Sequence, residues 1–455
     1  MIRLYYIPAL LTLNLLMAFA GWGGVFLAII IIITYLAFPP TRVFHPTNML
    51  MAYYGLYVVV SCGLNFILYA IGWEYKLPWG QAVFWDTFAK YTLFQIELTF
   101  LVLYFGLYQF APAAMVGTGE RRGQVRQQPT LGQVNPAVVY ASIVVSVLLV
   151  VWFIQATAGI GQWLSDYSDT YLSKREGYGL LNVTIAPVGT AAVFLLGVMS
   201  YHSKRKIIHW SLFLVILIIL SFPAGFKSRL IFLIIVFVSP YLLRINFSLK
   251  WVGRLAIAFF VLLYAATLVR TGGFYASPAY FMEMLIGYFN AYQLHDWIVT
   301  TRSPEWFSTM HQILVKPMQI FGYASLDDNF DISVMLTKEY FPDQWDIGRA
   351  TQQWPLETEL YLNYYGLLLE PVPLLIYSAI IGWLYRRAVL EVRLPLIPIY
   401  ILEFQRMFSM LRGTLIPWEL PIYIMQYFLV YVICYAALKK TRVTKHARLG
   451  NYSRV

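Results

Sequence analysis

The sequence predicts an all-α integral membrane protein of about twelve transmembrane helices with one large external loop, and three observations predict it. Hydrophobic residues fill 60% of the 455 positions and charged residues only 12%, against soluble averages of roughly half and a quarter. Apolar runs of about 17 to 25 residues recur along the chain, each able to cross ~30 Å of hydrocarbon as a helix. Basic residues gather in alternate connections between those runs, as they do on the cytoplasmic face of a membrane protein. A β-barrel is excluded because stretches such as VFLAIIIIITYLAF (25–38) do not alternate.

At the N-terminus Arg3 is the only early charge, and the apolar stretch continues past Gly21–Gly24. It therefore reads as two closely spaced spans, 4–20 and 23–38, and not as a cleavable signal peptide. Further spans follow at 49–71, 88–111, 136–158, 184–201, 207–222, 229–245, 253–270, 363–385, 394–408 and 419–438. The chain thus divides into nine spans with short loops (1–270), a large external loop (271–362), and three last spans with a basic tail (363–455).

With the N-terminus inside, the cytoplasmic segments hold most of the 33 basic residues but only Glu120 and Glu391 of the 22 acids. Both termini are therefore expected in the cytoplasm. The net charge of +11 then orients the protein against anionic headgroups, and no nucleic acid is needed to explain it. Cys62 and Cys434 both fall inside spans, which excludes a disulfide framework or a zinc site.

The segment 271–362 is too apolar for an ordinary solvated domain. Phe281, Met284, Leu285, Tyr288 and Tyr292 recur at helical spacing, as do Trp306, Phe307, Met310, Ile313 and Leu314. They predict two amphipathic helices, lying on the membrane surface or folded over the bundle. Plain packing against neighbouring helices accounts for them equally.

Charges near membrane depth are costly, so each is a functional candidate. Lys227 and Arg229 lie in PAGFKSRL (223–230), Arg270 ends the span that feeds the large loop, and Arg406 and Arg412 bracket the last outer turn. A dianionic phosphate ligand would account for these five cations through the fork geometry of arginine. The plainer account pairs each with Glu403, Glu419 or a backbone carbonyl. The acids expected outside are Asp166, Asp169, Glu176, Asp327, Asp328, Asp331, Glu357 and Glu359. Asp327–Asp328 lacks a third ligand at fixed spacing and makes a weak metal site. Glu357 and Glu359, two residues apart, cannot share a helical face, so at most one should enter a site. His295 and His311 are further candidate bases, or ordinary interfacial histidines. A phosphate-binding Gly-rich Lys-Ser/Thr loop, a serine elbow and a metalloprotease His-Glu pair are all absent, which removes ATP hydrolysis and two routes of peptide hydrolysis.

Three local features, set in this architecture, resemble the Wzy-type oligosaccharide repeat-unit polymerases, a family related to the O-antigen ligases. Ala224-Gly225-Phe226-Lys227-Ser228-Arg229 is similar to the family's Gly and Ser-Arg turn that opens a helix. Glu357-Thr358-Glu359 leading to Tyr365-Gly366 resembles the close of its long loop, and Leu411-Arg412-Gly413 its late Arg-Gly turn. The chain departs from one pattern of some members, since no Arg in either longer external loop is followed eleven residues later by Gly.

The resemblance implies a GT-C-like helical fold in a bacterial inner membrane, with the site on the periplasmic side. It implies transfer of an undecaprenyl-pyrophosphate-linked oligosaccharide onto another lipid-linked repeat unit, extending O-antigen, capsule or exopolysaccharide. Glu357, Glu359 or His311 would deprotonate the acceptor. Arg229, Arg270, Arg412, Lys227, Arg406, Arg349 and Arg175 would bind pyrophosphate, with no metal and no other cofactor. Membrane lipids, a chain-length regulator and a flippase are the expected partners. The alternatives are a ligase-type transferase with a lipid A-core acceptor and a transporter or flippase of polyprenyl-linked or anionic substrates.

Overall fold

The computed structural model describes residues 6–40, 42–73, 89–112, 131–167, 170, 178–224, 227–243, 245–270, 277–289, 291–304, 315, 318–319, 323, 325, 331–348, 351–363, 368–417 and 420–438. These residues are helical and contain no named strand, only two isolated bridges. A helix stands over each of the twelve predicted spans. They are α1 (Tyr6–Phe19), α2 (Gly23–Ala37), α3 (Pro46–Ala70), α4 (Lys90–Phe110), α5 (Pro136–Thr157), α6 (Gly179–His202), α7 (Lys206–Ser221), α8 (Lys227–Leu242) and α9 (Leu249–Arg270). In the segment expected outside lie α10 (Pro278–Tyr288), α11 (Ala291–Thr301), α12 (Ile332–Tyr340) and α13 (Leu356–Asn363). The chain closes with α14 (Pro371–Tyr385), α15 (Ile397–Leu411) and α16 (Leu420–Ala436).

Among the described residues, five helices are long and apolar enough to cross a membrane: Pro46–Ala70, Lys90–Phe110, Pro136–Thr157, Val183–His202 and Pro371–Leu390. Others are apolar but shorter, including α1, α2, α7 and α16. α15 has 15 residues and extends only about 22 Å at 1.5 Å per residue, less than the hydrocarbon thickness. Outward-facing apolar side chains accompany the long helices. α5, for example, exposes Val144, Val145, Leu148, Val151 and Trp152, a surface that suits lipid better than water.

The chain forms two compact units, one of residues 1–125, 242–391 and 400–425, the other of 126–241, 392–399 and 426–455. In the first unit α4 is the hub, buried on nearly every side from Thr92 to Leu107. A helix enclosed all round is ordinarily apolar throughout. α4 instead carries Gln95, Glu97 and Thr99 into the interior, each with no exposed surface. α14 packs closely along it because of two glycines: a Cβ on Gly382 would lie 2.5 Å from the Phe110 backbone, and one on Gly106 would lie 2.8 Å from Ser378 Oγ. Small residues of this kind let helices approach where lipid supplies no hydrophobic drive. α3 is interrupted by a π-helical stretch, Gly55–Val60. Such a bulge widens the helix and shifts its register, and it commonly marks a functional region. Here it sits beside three buried tyrosines, Tyr53, Tyr54 and Tyr57.

The segment 271–362 differs from expectation in two ways. The single amphipathic helix predicted across Phe281–Tyr292 is two helices, α10 and α11, separated at Phe289 where the backbone leaves helical geometry (φ −103°, ψ 42°). Its apolar residues also build a core. Leu294, Ile298, Ile332, Leu336, Trp354, Tyr361 and Leu362 cluster together, and every residue of α13 is buried. Glu357 and Glu359 are therefore enclosed in the first unit. The second predicted amphipathic helix, Trp306–Leu314, lies outside the described residues. Asp331 caps α12, its Oδ1 accepting from the amides of Ser333 and Val334 at 2.9 and 3.2 Å. An N-cap of this type stabilises a helix by about 1 kcal/mol.

In the second unit α6 contains Pro187, which has no N–H to give to the carbonyl of Val183. The Gln426 side-chain amide donates to that carbonyl instead, at 3.4 Å. Arg229 serves the neighbouring turn: its Nη2 donates to Ala186 O at 2.8 Å and to Thr190 Oγ1 at 3.3 Å. Its guanidinium also lies 5.2 Å from the Phe232 ring centre. These contacts are the carbonyl pairing that the plainer reading of the sequence anticipated. Arg229→Ala should accordingly lower the melting temperature and expression of the protein. A stable Arg229→Ala protein that has lost only ligand binding would overturn that role.

Candidate functional site

The first unit encloses a continuous polar cluster built by α3, α4, α11, α13 and the turn that follows α15. α13 supplies Glu357 at its N-terminal end, where a carboxylate is favoured by the free amides of the first turn. Tyr54 donates to Glu357 Oε1 at 2.6 Å, while Oε2 is buried without a hydrogen-bond partner. Burial pushes the Glu357 carboxyl up to about 7, the Tyr54 hydrogen bond opposing the shift. A carboxyl held near neutrality is matched to proton transfer at physiological pH.

Gln95 holds this arrangement in register. Its Nε2 donates to the Glu357 carbonyl at 3.1 Å and to Glu370 Oε2 at 3.0 Å, and Thr99 donates to the other Glu370 oxygen. The Gln95 amide nitrogen faces two acceptors, so its Oε1 faces His295 Nε2, 3.2 Å away. An amide oxygen only accepts, which assigns the proton of neutral His295 to Nε2 and leaves Nδ1 to accept from Thr358 Oγ1 at 3.1 Å. Burial holds the imidazole down at about 3. His295 is thus a neutral, doubly bonded spacer between α11, α4 and α13.

Arg412 lies in the turn that ends α15. Its guanidinium carbon is 5.8 Å from the Tyr57 ring centre and 5.9 Å from that of Phe408, within cation–π range, and its Nε is buried without a partner. Glu357 and Arg412 both act electrostatically on the Tyr53 side chain, whose hydroxyl is likewise unpartnered. A carboxylate and a guanidinium therefore each lie within electrostatic reach of one buried phenol, and each of the three groups has an unsatisfied atom. Tyr292 adds a fourth such hydroxyl, under the influence of Glu357, Tyr53 and Tyr54. Stacked Tyr53 and Tyr57 rings, 4.7 Å apart and 19° from parallel, form an aromatic wall. Buried polar atoms are ordinarily paired, and convergent exceptions beside a group with a displaced pKa mark a candidate ligand site.

Glu359 has the second role expected when two carboxylates cannot share a face. Its Oε2 accepts from the Leu415 amide at 2.5 Å and so ties α13 to the turn that carries Arg412. Arg406 is engaged elsewhere, its guanidinium carbon 3.4 Å from the Tyr423 ring centre and its Nη1 3.7 Å from Glu403. Arg229 belongs to the second unit, as described above. Arg270 ends α9 and Lys227 opens α8, but their side chains lie outside the described set, as do His311, Arg349, Arg175, Asp327 and Asp328. Among the described residues no group of three or more His, Cys, Asp or Glu is placed to hold a metal ion.

The sequence reading passed over Tyr53, Tyr54, Tyr57, Gln95, Thr99 and Glu370. One signal was available for some of them: Gln95 and Thr99 lie within a predicted span, where polar groups are exceptional. Comparison with protein-family models, with curated proteins and with solved structures finds no match to the chain.

Proposed function

We propose that the protein is a membrane glycosyltransferase that extends a glycan carried on undecaprenyl pyrophosphate. The observation that supports this reading is that Glu357 and Arg412 both act on the buried Tyr53 side chain, each with a buried unpartnered atom. In the proposed step the acceptor hydroxyl gives its proton to Glu357 Oε2 and its oxygen attacks the anomeric carbon of the donor. The bond from that carbon to the pyrophosphate oxygen breaks, and the electron pair leaves with the lipid pyrophosphate. Arg412 stabilises the charge that develops there, in a setting of low dielectric where such donors contribute most.

The finer reading takes all twelve apolar helices as spans of a bacterial inner membrane, both termini in the cytoplasm and the site on the periplasmic side. A reporter inserted after Tyr323 should then read external, and one after Arg387 internal; the same side for both would overturn the topology. The direct test of activity is incubation of the purified protein with a synthetic undecaprenyl-pyrophosphate repeat unit. A glycan ladder supports a polymerase, whereas transfer only to a lipid A-core acceptor supports a ligase. Movement of the lipid-linked glycan across vesicles without any new bond would replace the enzyme by a transporter. Since arginine stabilises the leaving group in this scheme, turnover should persist in EDTA. Loss restored by magnesium or manganese would show that a metal does that work.

A further inference from the structure

Glu97 takes no part in the cluster around Glu357. It lies on α4 one turn after Leu93, whose Cδ1 is 2.5 Å from where a Gly23 Cβ would stand. Positions four apart share a helical face, so Glu97 faces α1 and α2. Gln95 and Thr99 point to the other side of α4, where His295, Glu357 and Glu370 are held. Both Glu97 oxygens are buried without a hydrogen-bond partner, and so is Asn14 Oδ1 from α1. Asn14 is 1% exposed and Glu97 is fully enclosed, and the Asn14 amide is within hydrogen-bonding influence of the Glu97 carboxyl.

Among the described residues the surroundings offer no compensating charge. α1 and α2 contain no Asp, Glu, Lys, Arg or His, and their titratable groups are Tyr6 and Tyr35. Lys90, two turns back on α4, lies over the Phe19 ring, 3.8 Å from its centre. Asp296 is bound to Thr92 and the Ala89 amide, and Tyr54 to Glu357. Among the described residues, burial and Asn14 are what act on the Glu97 carboxyl.

A buried carboxylate here would leave its charge unpaired, which is prohibitive in an apolar interior. It would also leave Asn14 Oδ1 with no donor. A carboxylic acid removes both faults: its O–H donates to Asn14 Oδ1, and Asn14 Nδ2 donates to the second carboxyl oxygen. We infer that Glu97 and Asn14 form a proton-binding site inside the apolar bundle, an acid–amide pair that binds one proton and clasps α1 to α4.

The test uses the full chain in lipid vesicles and the apolar reagent dicyclohexylcarbodiimide, which reacts with protonated carboxyls in apolar surroundings. The acid proton passes to a carbodiimide nitrogen, a carboxyl oxygen bonds to the central carbon, and the acyl group then migrates to nitrogen with no atom lost. At pH 7 the peptide containing Glu97 should carry the added mass in the wild type and not in Glu97→Gln. Glutamine reproduces the acid's donor and acceptor, so Glu97→Gln should melt with the wild type, whereas Glu97→Leu and Asn14→Leu should melt several degrees lower. An unlabelled Glu97 together with a Glu97→Gln variant as unstable as Glu97→Leu would overturn the site. Neither readout depends on glycosyl transfer.

Discussion

Glu357→Gln is expected to lower turnover by about two to four orders of magnitude, the range of a lost general base, while the protein still inserts and folds. The substitution is chemically mild in this setting. Glutamine keeps the oxygen that accepts from Tyr54, and its amide nitrogen replaces an oxygen that has no partner to lose. Wild-type activity should rise with pH through about 7, where the carboxyl ionises in the folded protein, and then level off. The stability effect has the opposite sign. The folded carboxyl titrates above its ordinary value of 4.5, so its contribution is fully present below that value and is lost as pH rises through about 7. Glu357→Gln removes this loss and should make the protein no less stable than the wild type at pH 8. Turnover and melting temperature, measured from pH 5 to 8, check both halves. An active Glu357→Gln enzyme with an unchanged pH profile would move the base elsewhere.

The helical plan was legible because lipid imposes length: an apolar run must be long enough to cross, whatever it packs against. Features that depend on partners were not legible. The π-helical stretch at Gly55–Val60 and the break at Phe289 arise inside apolar sequence whose periodicity shows neither. The burial of α13 was hidden for a related reason, since LETELYLN reads as polar until Tyr54, Gln95 and the Leu415 amide are known to receive it. Charge at membrane depth did point to Arg412, while Glu357 and Glu359 stood among the acids expected outside. The same rule pointed equally to Arg229, which the Ala186 carbonyl beside Pro187 accounts for, and to Arg406, which Tyr423 and Glu403 engage. Depth alone therefore selects expensive residues without separating a ligand contact from a local pairing. Gln95 shows the converse limit: it carries no charge, yet it joins three of the cluster's groups, Glu357, Glu370 and His295.

Arg412→Ala should reduce turnover by about two to three orders of magnitude, the usual consequence of removing a donor to a developing anion. The geometry argues that the loss will be catalytic and not structural. In the folded protein the guanidinium lies against the Tyr57 and Phe408 rings, an attraction of about 0.5 to 2 kcal/mol, and its buried Nε has no partner. The turn itself is secured independently by Glu359 through the Leu415 amide, so the backbone should keep its course without the arginine side chain. Glu359→Gln keeps an acceptor there and serves as a control that should leave most activity in place. Arg412→Lys should recover only part of the rate, because a point charge can neither present the two-pronged fork to pyrophosphate nor stack as a plane on Tyr57. A purely structural arginine predicts the reverse pattern, in which Arg412→Ala melts early or fails to express but any surviving protein turns over normally. Turnover per folded molecule, measured beside melting temperature for all three variants, separates these outcomes. Wild-type turnover in Arg412→Ala would remove the anion-stabilising half of the proposed mechanism while leaving the Glu357 test intact.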